Sequence, residues 1–197
     1  MARFLTLVAM AGVVVAASAA ITPIGEFVGT YSEGFEKHAT GQFLPHLDVF
    51  DGNGDVNQVG SGQGLHVTTG WAYYFTTYPH GGGKFMGPTY GITAEWVFDV
   101  PAAKFGGYFT TNYQSSGATA TFFDENNNVL GTMLVKCIAG NSTWGWDGWE
   151  FDPPVKKVQI ASDYGAGHVM HDDMQYTPIP EPASLALLGL AVLLRRR

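Results

Sequence analysis

Hydrophobic and polar residues alternate along the middle of the chain with the two-residue period of β-strands. The clearest case runs from Ile92 to Val100, where every second residue is apolar: Ile92, Ala94, Trp96, Phe98 and Val100. Successive side chains of a strand point to opposite faces of its sheet. This segment therefore predicts a half-buried strand with Glu95 and Asp99 directed outward.

Other short runs rich in Val, Thr, Phe and Tyr are separated by clusters of Gly, Asn, Asp and Pro. Residues 118–123 and 129–135 flank the polar segment 124–128, a pattern typical of a β-hairpin. Two further strands are predicted at 156–161 and about 168–176. Many short strands and no long helical pattern predict an all-β fold, a jelly-roll-like antiparallel β-sandwich.

The amino terminus has the pattern of a secretory signal peptide. Arg3 precedes the apolar run 4–17, and Ala17-Ser18-Ala19 supplies the small residues that signal peptidase needs. We predict a signal peptide over 1–19 with cleavage after Ala19. The β-sandwich domain then covers 20–177.

The carboxyl terminus, 178–197, combines three features of a sorting signal. Pro180-Glu181-Pro182 is followed by the apolar run 183–194 and by Arg195, Arg196 and Arg197. Twelve residues rise about 18 Å as a helix, whereas the hydrocarbon core of a bilayer is about 30 Å thick. The terminal arginines favour the cytoplasmic side. A temporary membrane stop fits this hydrophobic helix better than a permanent anchor, and an ordinary short anchor is the alternative.

This tail resembles the PEP-CTERM sorting domain of Gram-negative bacteria, which is also catalogued as an ice-binding protein C-terminal domain. The resemblance implies export across the inner membrane, cleavage by a membrane-embedded exosortase near Pro-Glu-Pro, and delivery to the cell surface or exopolysaccharide matrix. Its expected partners are signal peptidase, exosortase, exopolysaccharide and, before processing, the membrane. Ice binding is disfavoured because Thr residues form scattered pairs, such as Thr68-Thr69, rather than repeated Thr-x-Thr rows.

Charge and cysteine content restrict the remaining function classes. Removing both ends takes away four arginines and Glu181, which changes the formal net charge from −7 to −10. We therefore do not expect nucleic acid as a partner, because DNA- and RNA-binding proteins need basic surfaces. Cys137 is the single cysteine, which excludes an internal disulfide, and its apolar neighbours favour a buried, inert thiol.

The mature chain is also similar to the jelly-roll domains that commonly precede PEP-CTERM tails. The segments that carry this similarity are 31–36, 104–109, 120–124, 155–160 and 172–174. It implies a shape like that of carbohydrate-binding modules. In such modules the first and last strands are often neighbours, and an acidic residue of each commonly holds a structural Ca²⁺.

Asp172 and Asp173 lie in the last predicted strand, where alternation places Met170, Asp172, Met174 and Tyr176 on one face. A buried carboxylate needs a hydrogen-bond cage, a basic partner or a cation. Calcium held by Glu36, Asp172 and Asp173 is one prediction, with Glu33 as a second first-strand candidate. The alternative is that Asp172 accepts backbone N–H groups at a turn while Asp173 faces solvent.

Two weaker metal patterns occur elsewhere. Residues 51–57 place Asp and Asn at alternate positions, as in the opening of a calcium loop, but Val56 stands where an EF-hand needs Gly. His168 and His171 are three residues apart, so on a regular strand they point to opposite faces and share an ion only if a bulge intervenes.

Glycine-spaced tryptophans supply the remaining functional signal. Trp144, Trp146 and Asp147 predict a glycan-binding patch, since a sugar ring packs its C–H groups on an aromatic face and a carboxylate accepts its hydroxyls. The alternative is that these tryptophans belong to the core, as we expect for Trp149.

Catalytic motifs are missing from the sequence: it has no nucleophile elbow, zinc-protease His-Glu pair, phosphate loop or dinucleotide fingerprint. Glu95 and Asp99 lie about 13 Å apart along a strand, farther than the carboxyl pairs of glycosidases. We therefore predict a noncatalytic structural protein of the cell surface or matrix. The alternative is a calcium-dependent carbohydrate-binding module, and a glycan-active enzyme or ice-binding protein is less favoured.

Overall fold

The computed structural model describes residues 19–89, 91–113, 117–162 and 168–180, and the predicted signal-peptide core and most of the sorting tail lie outside these ranges. None of the described residues belongs to a helix that could span a membrane. The strands are β1 (Ala20–Ile24), β2 (Tyr31–Glu33), β3 (Phe43–Leu44), β4 (His46–Val49), β5 (Gly54–Gly60), β6 (Leu65–Thr68), β7 (Trp71–Ala72), β8 (Thr76–Thr77), β9 (Phe85–Pro88), β10 (Ile92–Thr111), β11 (Ala118–Phe123), β12 (Val129–Val135), β13 (Ile138–Ala139), β14 (Gly145–Ser162) and β15 (Val169–Pro178). The predicted all-β class is confirmed.

Two long strands, β10 and β14, run through both layers of the fold. The first half of β10 pairs with β5 and with the second half of β14, and β4, β11 and β12 complete this first layer. The second half of β10 pairs with β15 and with the first half of β14. The second layer is completed by β1, β2, β3, β6 and β9. Among the described strands only the short β10–β13 pair is parallel.

The long strands change layer at an irregular point. Between β10 and β14 the pairing register shifts between Val97 and Ala102, and Pro101, Pro153 and Pro154 cluster there. Proline cannot donate a ladder hydrogen bond, and bulges bend a strand. The segments predicted as separate strands around 92–100 and 106–109 are therefore two halves of one bent strand.

Aromatic side chains from the two inner faces form one core. Trp96 of the first layer lies 5.5 Å from Phe105 of the second, measured between ring centroids, and Phe122 lies 5.2 Å from Trp149. All four side chains are almost fully buried. Burying a large apolar side chain stabilises a fold by about 1.5–3 kcal/mol, so these contacts hold the two layers together as a sandwich.

The alternation predicted from Ile92 is confirmed, because Ile92, Ala94, Trp96 and Phe98 are buried and Asp99 is exposed. The predicted hairpin is confirmed as β11 and β12. Its turn is held by the Asp124 carboxylate, which accepts the N–H groups of Asn126 and Asn128, both at 2.8 Å.

The last strand departs from simple alternation. Between Gly106 and Tyr108 of β10, the opposing residues of β15 run from Gln175 to Asp172, which leaves one extra residue in β15. Asp173 lies at this bulge with a φ of 47°. His171 therefore faces the core with Met174 and Tyr176, whereas Asp172 lies on the outer face, so the predicted common face of Asp172 and Met174 is wrong.

Candidate functional site

The outer face of the second layer carries the candidate site, because residues 71–84, which we call the covering segment, fold back over it before β9. The Trp71 ring lies over Gly87 of β9, where a Cβ atom would come within 2.8 Å of Trp71 Cζ3. Glycine at this position lets the segment approach the sheet. Phe85, two residues earlier on the same face, contacts Trp144 at 5.7 Å.

Four aromatic rings form what we call the aromatic cluster: His80, Tyr108, Trp144 and Trp146. The His80 ring stacks on Tyr108 with centroids 3.6 Å apart, and Tyr108 meets Trp146 edge-on at 5.3 Å. Trp144 lies 6.3 Å from His80 and donates its Nε1–H to the Tyr78 carbonyl at 3.0 Å. The cluster joins two strands, β10 and β14, to the covering segment.

Trp146 lies flat on the sheet because its neighbours lack side chains. Gly106 and Gly148 pair across β10 and β14, and a Cβ on either would come 3.0–3.1 Å from the indole. Phe27 meets Trp146 edge-on at 5.8 Å, and the indole N–H donates to the Ile24 carbonyl at 3.3 Å. Contacts on several sides thus fix the orientation of the indole ring, which remains half-buried.

Asp172 is fully buried beneath the covering segment. Its Oδ2 accepts the N–H groups of His80 (2.7 Å) and Gly81 (3.2 Å), and its Oδ1 accepts that of Asp173 (2.8 Å). Burial and the adjacent Asp173 charge raise the pKa of Asp172 to about 7, although these three hydrogen bonds favour the ionised form. The carboxylate thus fixes the backbone that presents the His80 ring.

The other predicted calcium ligands bind the same segment through similar bonds. Glu36 Oε1 accepts the N–H groups of Gly83 and Lys84 at 2.6 and 2.9 Å, and Asp173 Oδ2 lies 2.7 Å from His80 Nδ1. Glu33 binds the N–H groups of Phe35 and Phe50 instead. Within the ranges that the structure describes, no three His, Cys, Asp or Glu side chains are grouped to hold a metal ion.

The structure also does not bring together the residues of either of the two weaker metal patterns. His171 packs in the core against Trp96 and Phe109, whereas His168 lies on the outer face beside Trp71. In the 51–57 segment, Asp51 pairs with Lys37.

The structure brings Trp144 and Trp146 together but separates Asp147 from them. Asp147 has the opposite orientation on β14, because Trp149, two residues later, faces the core. Its carboxylate accepts the N–H of Lys136, and burial raises the pKa of this carboxyl. Asp147 therefore lies outside the aromatic cluster.

Three residues of the site are not among those predicted from the sequence: Tyr108, His80 and Glu26. Tyr108 hydrogen-bonds Glu26, and its pKa is raised to about 12, first by burial and then by this carboxylate. Alternation between the buried Phe105 and Phe109 places Tyr108 outward, which was a usable signal. Nothing in the sequence around His80 indicates that its ring lies on Tyr108.

Comparison with known proteins informs the fold. No protein family model matches the chain, and no curated protein matches it in sequence. It is similar to the K2 cleaved adhesin domain of Lys-gingipain, with 15% identity and a TM-score of 0.50 over 75% of this chain and 98% of that one. It is also similar to TmCBM61 in complex with β-1,4-galactotriose, with 15% identity and a TM-score of 0.42 over 73% and 93% of the chains. A family 29 carbohydrate-binding module gives 11% identity and a TM-score of 0.33 over 60% and 89%.

Proposed function

We propose that this protein is an exported, noncatalytic carbohydrate-binding domain whose ligand contacts the aromatic cluster. The observation that carries the proposal is the Trp146 ring, held flat over Gly106 and Gly148 between Phe27 and Tyr108. A fixed, partly exposed indole offers a flat apolar surface to the C–H face of a sugar ring.

Polar groups beside the indole suit the hydroxyls of a sugar. Glu26 is exposed and bonded to Tyr108, and His80 is bonded to Asp173 at the rim of the cluster. Because backbone hydrogen bonds from His80 and Gly81 to Asp172 fix this segment, little conformational entropy would be lost on binding.

The contacts of the acidic residues support a noncatalytic role. Glu95 accepts a hydrogen bond from Gln159 at 2.7 Å and pairs with Lys157 at 3.2 Å. Asp172 and Glu36 bind backbone N–H groups. Each of these carboxylates therefore has a structural partner within the fold.

The test is binding to four soluble neutral polysaccharides, β-1,4-galactan, xylan, mannan and mixed-linkage β-glucan, by affinity gel electrophoresis. We expect the protein to be retarded by at least one of them, and Trp146→Ala to weaken that retardation about tenfold, as for the loss of one stacking contact. Leu134→Ala is the control, since Leu134 is 79% exposed on β12 of the other layer. Equal retardation of Trp146→Ala and Leu134→Ala would contradict the assignment, and no retardation by any of the four would favour a purely structural role.

Export and sorting belong to the same proposal. The signal peptide 1–19 and the PEP-CTERM tail 178–197 would deliver the domain to the cell surface or matrix through signal peptidase and exosortase. Mass spectrometry of the cell-surface fraction tests this, with Ala20 expected as the first residue. A protein lacking 181–197 should not be retained at the envelope, whereas intact chains in the cytosol would contradict the proposal.

A structural Ca²⁺ at Glu36, Asp172 and Asp173 stays a prediction. The Asp172 and Glu36 carboxylates already accept backbone N–H groups from the covering segment, and Asp173 Oδ2 lies 2.7 Å from His80 Nδ1, so a cation would have to displace or share these contacts. The ion would stabilise the segment that carries His80. The expected result is a higher melting temperature with Ca²⁺ than with EDTA, and equal melting temperatures would contradict it.

A further inference from the structure

A second group of aromatic rings lies at the tip of the β7–β8 hairpin, and we call it the tyrosine surface: Tyr73, Tyr74, Tyr113 and His168. It is separate from the aromatic cluster and shares no residue with it. Tyr73 and Tyr74 are 63% and 50% exposed. Exposed apolar groups that cluster in this way usually mark a binding surface, whereas single exposed aromatics need no explanation.

Three of the rings have nearly parallel planes and are neighbours of one another. The Tyr73, Tyr113 and His168 planes differ by 8–9°, and their centroids are 5.7, 6.0 and 6.3 Å apart. Three rings stacked in a column would place the outer two about twice as far apart as neighbours. The near-equal distances therefore exclude a column and describe three parallel rings that are mutually offset, with Tyr74 edge-on to Tyr73 at 4.8 Å.

Backbone hydrogen bonds of the β7–β8 hairpin hold the tyrosine surface in place. The N–H groups of Tyr74 and Phe75 both donate to the Asn112 carbonyl, at 3.2 and 3.1 Å. Thr76 N–H donates to Asn141 Oδ1 at 2.9 Å. Since the rings are already positioned, a ligand would bind without ordering this loop.

The four side chains of the tyrosine surface carry no charge. Their polar groups are phenol hydroxyls and one imidazole, and burial lowers the pKa of His168, which keeps that ring uncharged at neutral pH. An anionic partner would find no counter-charge among these four side chains. A sugar ring fits, because its C–H face packs on aromatic rings and its hydroxyls exchange hydrogen bonds with phenols.

We propose that the tyrosine surface is a second sugar-contacting site, which binds a neutral polysaccharide chain together with the aromatic cluster. The inference rests on the proposed function for the class of ligand. The two surfaces are linked through Tyr78, whose carbonyl accepts the Trp144 indole N–H. Tyr78 lies five residues after Tyr73, a separation of at most about 18 Å even in extended chain, so one extended polymer can contact both.

The test compares variants on whichever of the four polysaccharides retards the protein, with the trisaccharide of the same polymer as a short ligand. Tyr73→Ala should weaken polymer binding about tenfold, the effect of losing one aromatic contact. Tyr73→Phe should lose much less affinity than Tyr73→Ala, because it keeps the ring and removes only the phenol hydroxyl. Trisaccharide binding should respond to Trp146→Ala much more than to Tyr73→Ala, since a short ligand does not reach both surfaces.

The outcomes separate the two proposals. If Trp146→Ala weakens polymer binding and Tyr73→Ala does not, the second site is wrong and the first stands. If only Tyr73→Ala weakens it, the aromatic cluster is the wrong site and the tyrosine surface is the true one. If Tyr73→Ala leaves binding unchanged but converts a dimer to a monomer in size-exclusion chromatography, the surface is an interface between copies and the inference is overturned. Leu134→Ala again controls for loss of an exposed apolar side chain.

Discussion

Replacing His171 with Leu should make the fold more resistant to acid. His171 is fully buried between Trp96 and Phe109. Neither of its ring nitrogens has a hydrogen-bond partner among the described residues. Burial lowers the pKa of His171 to about 3 from an ordinary 6.5, because a charged imidazolium in this core would lose its hydration.

The size of the effect follows from proton linkage. Below pH 6.5 the unfolded chain binds a proton at this position and the folded chain does not, so folding loses about 1.4 kcal/mol per pH unit. The contribution of neutral His171 to the free energy of unfolding is complete above pH 6.5 and is lost progressively as pH falls towards 3. Between pH 6.5 and 5.0 the loss is about 2 kcal/mol, which is a substantial part of the 5–15 kcal/mol that stabilises a typical domain.

The contribution of Asp172 to stability changes with pH in the opposite direction, so the wild type alone does not reveal the contribution of His171. The pKa of Asp172 is raised to about 7 from 3.8, so its contribution is complete below pH 3.8 and is lost as pH rises through 7. Comparing His171→Leu with the wild type cancels this contribution. The difference in unfolding free energy should favour the variant by about 2 kcal/mol more at pH 5.0 than at pH 7.5.

Urea denaturation at the two pH values measures this difference. At pH 7.5 the variant should be at least as stable as the wild type, because Leu removes two buried polar atoms without partners. His46→Leu is the matched control, since the His46 side chain is 51% exposed. A difference that is the same at pH 5.0 and 7.5 would refute a neutral, buried His171.

Three further changes test the site. Gly148→Ala places a methyl group 3.0 Å from the Trp146 indole, so polysaccharide affinity should fall about tenfold, as in Trp146→Ala. The circular dichroism spectrum should stay unchanged. Wild-type affinity would show that the indole need not lie flat. Asp147→Asn should leave polysaccharide affinity within about twofold of wild type, because this carboxylate lies away from the aromatic cluster, and a larger loss in the same assay would return it to the site. Asp172→Asn should abolish the Ca²⁺-dependent rise in melting temperature, and an unchanged rise would remove Asp172 from the ligands.

Local patterns in the sequence predict two regions of the fold. The alternation from Ile92 and the polar turn around Asp124 both depend on neighbouring residues, and β10 and β11–β12 follow them. The continuity of β10 was not predictable, because Pro101 and the following glycine pair have the composition of a turn. Only pairing with β14 and β15, which lie far away in sequence, keeps this segment extended.

The candidate site was only partly predictable for the same reason. The glycine spacing around Trp146 pointed to a platform, and the structure places Trp144 and Trp146 in one cluster. His80 enters that cluster because Asp172, which is 92 residues distant, binds its backbone N–H. The sequence predicts Asp147 in the glycan-binding patch because it follows Trp146. Adjacent residues of a strand face opposite sides, however, so Asp147 does not share the face of Trp146.

The bulge at Asp173 connects the stability of the core with the geometry of the site. One extra residue in β15 lets His171, Met174 and Tyr176 face the core while Asp172 lies beneath the covering segment. On a regular strand, facing Met174 inward would bring Asp172 inward too, and a carboxylate among aromatic rings would cost several kcal/mol or bind a proton. The bulge instead directs Asp172 to backbone N–H donors outside the aromatic core, and it supplies the acceptor that holds His80 over Tyr108. The same backbone irregularity therefore keeps Asp172 away from the core rings and positions the aromatic cluster.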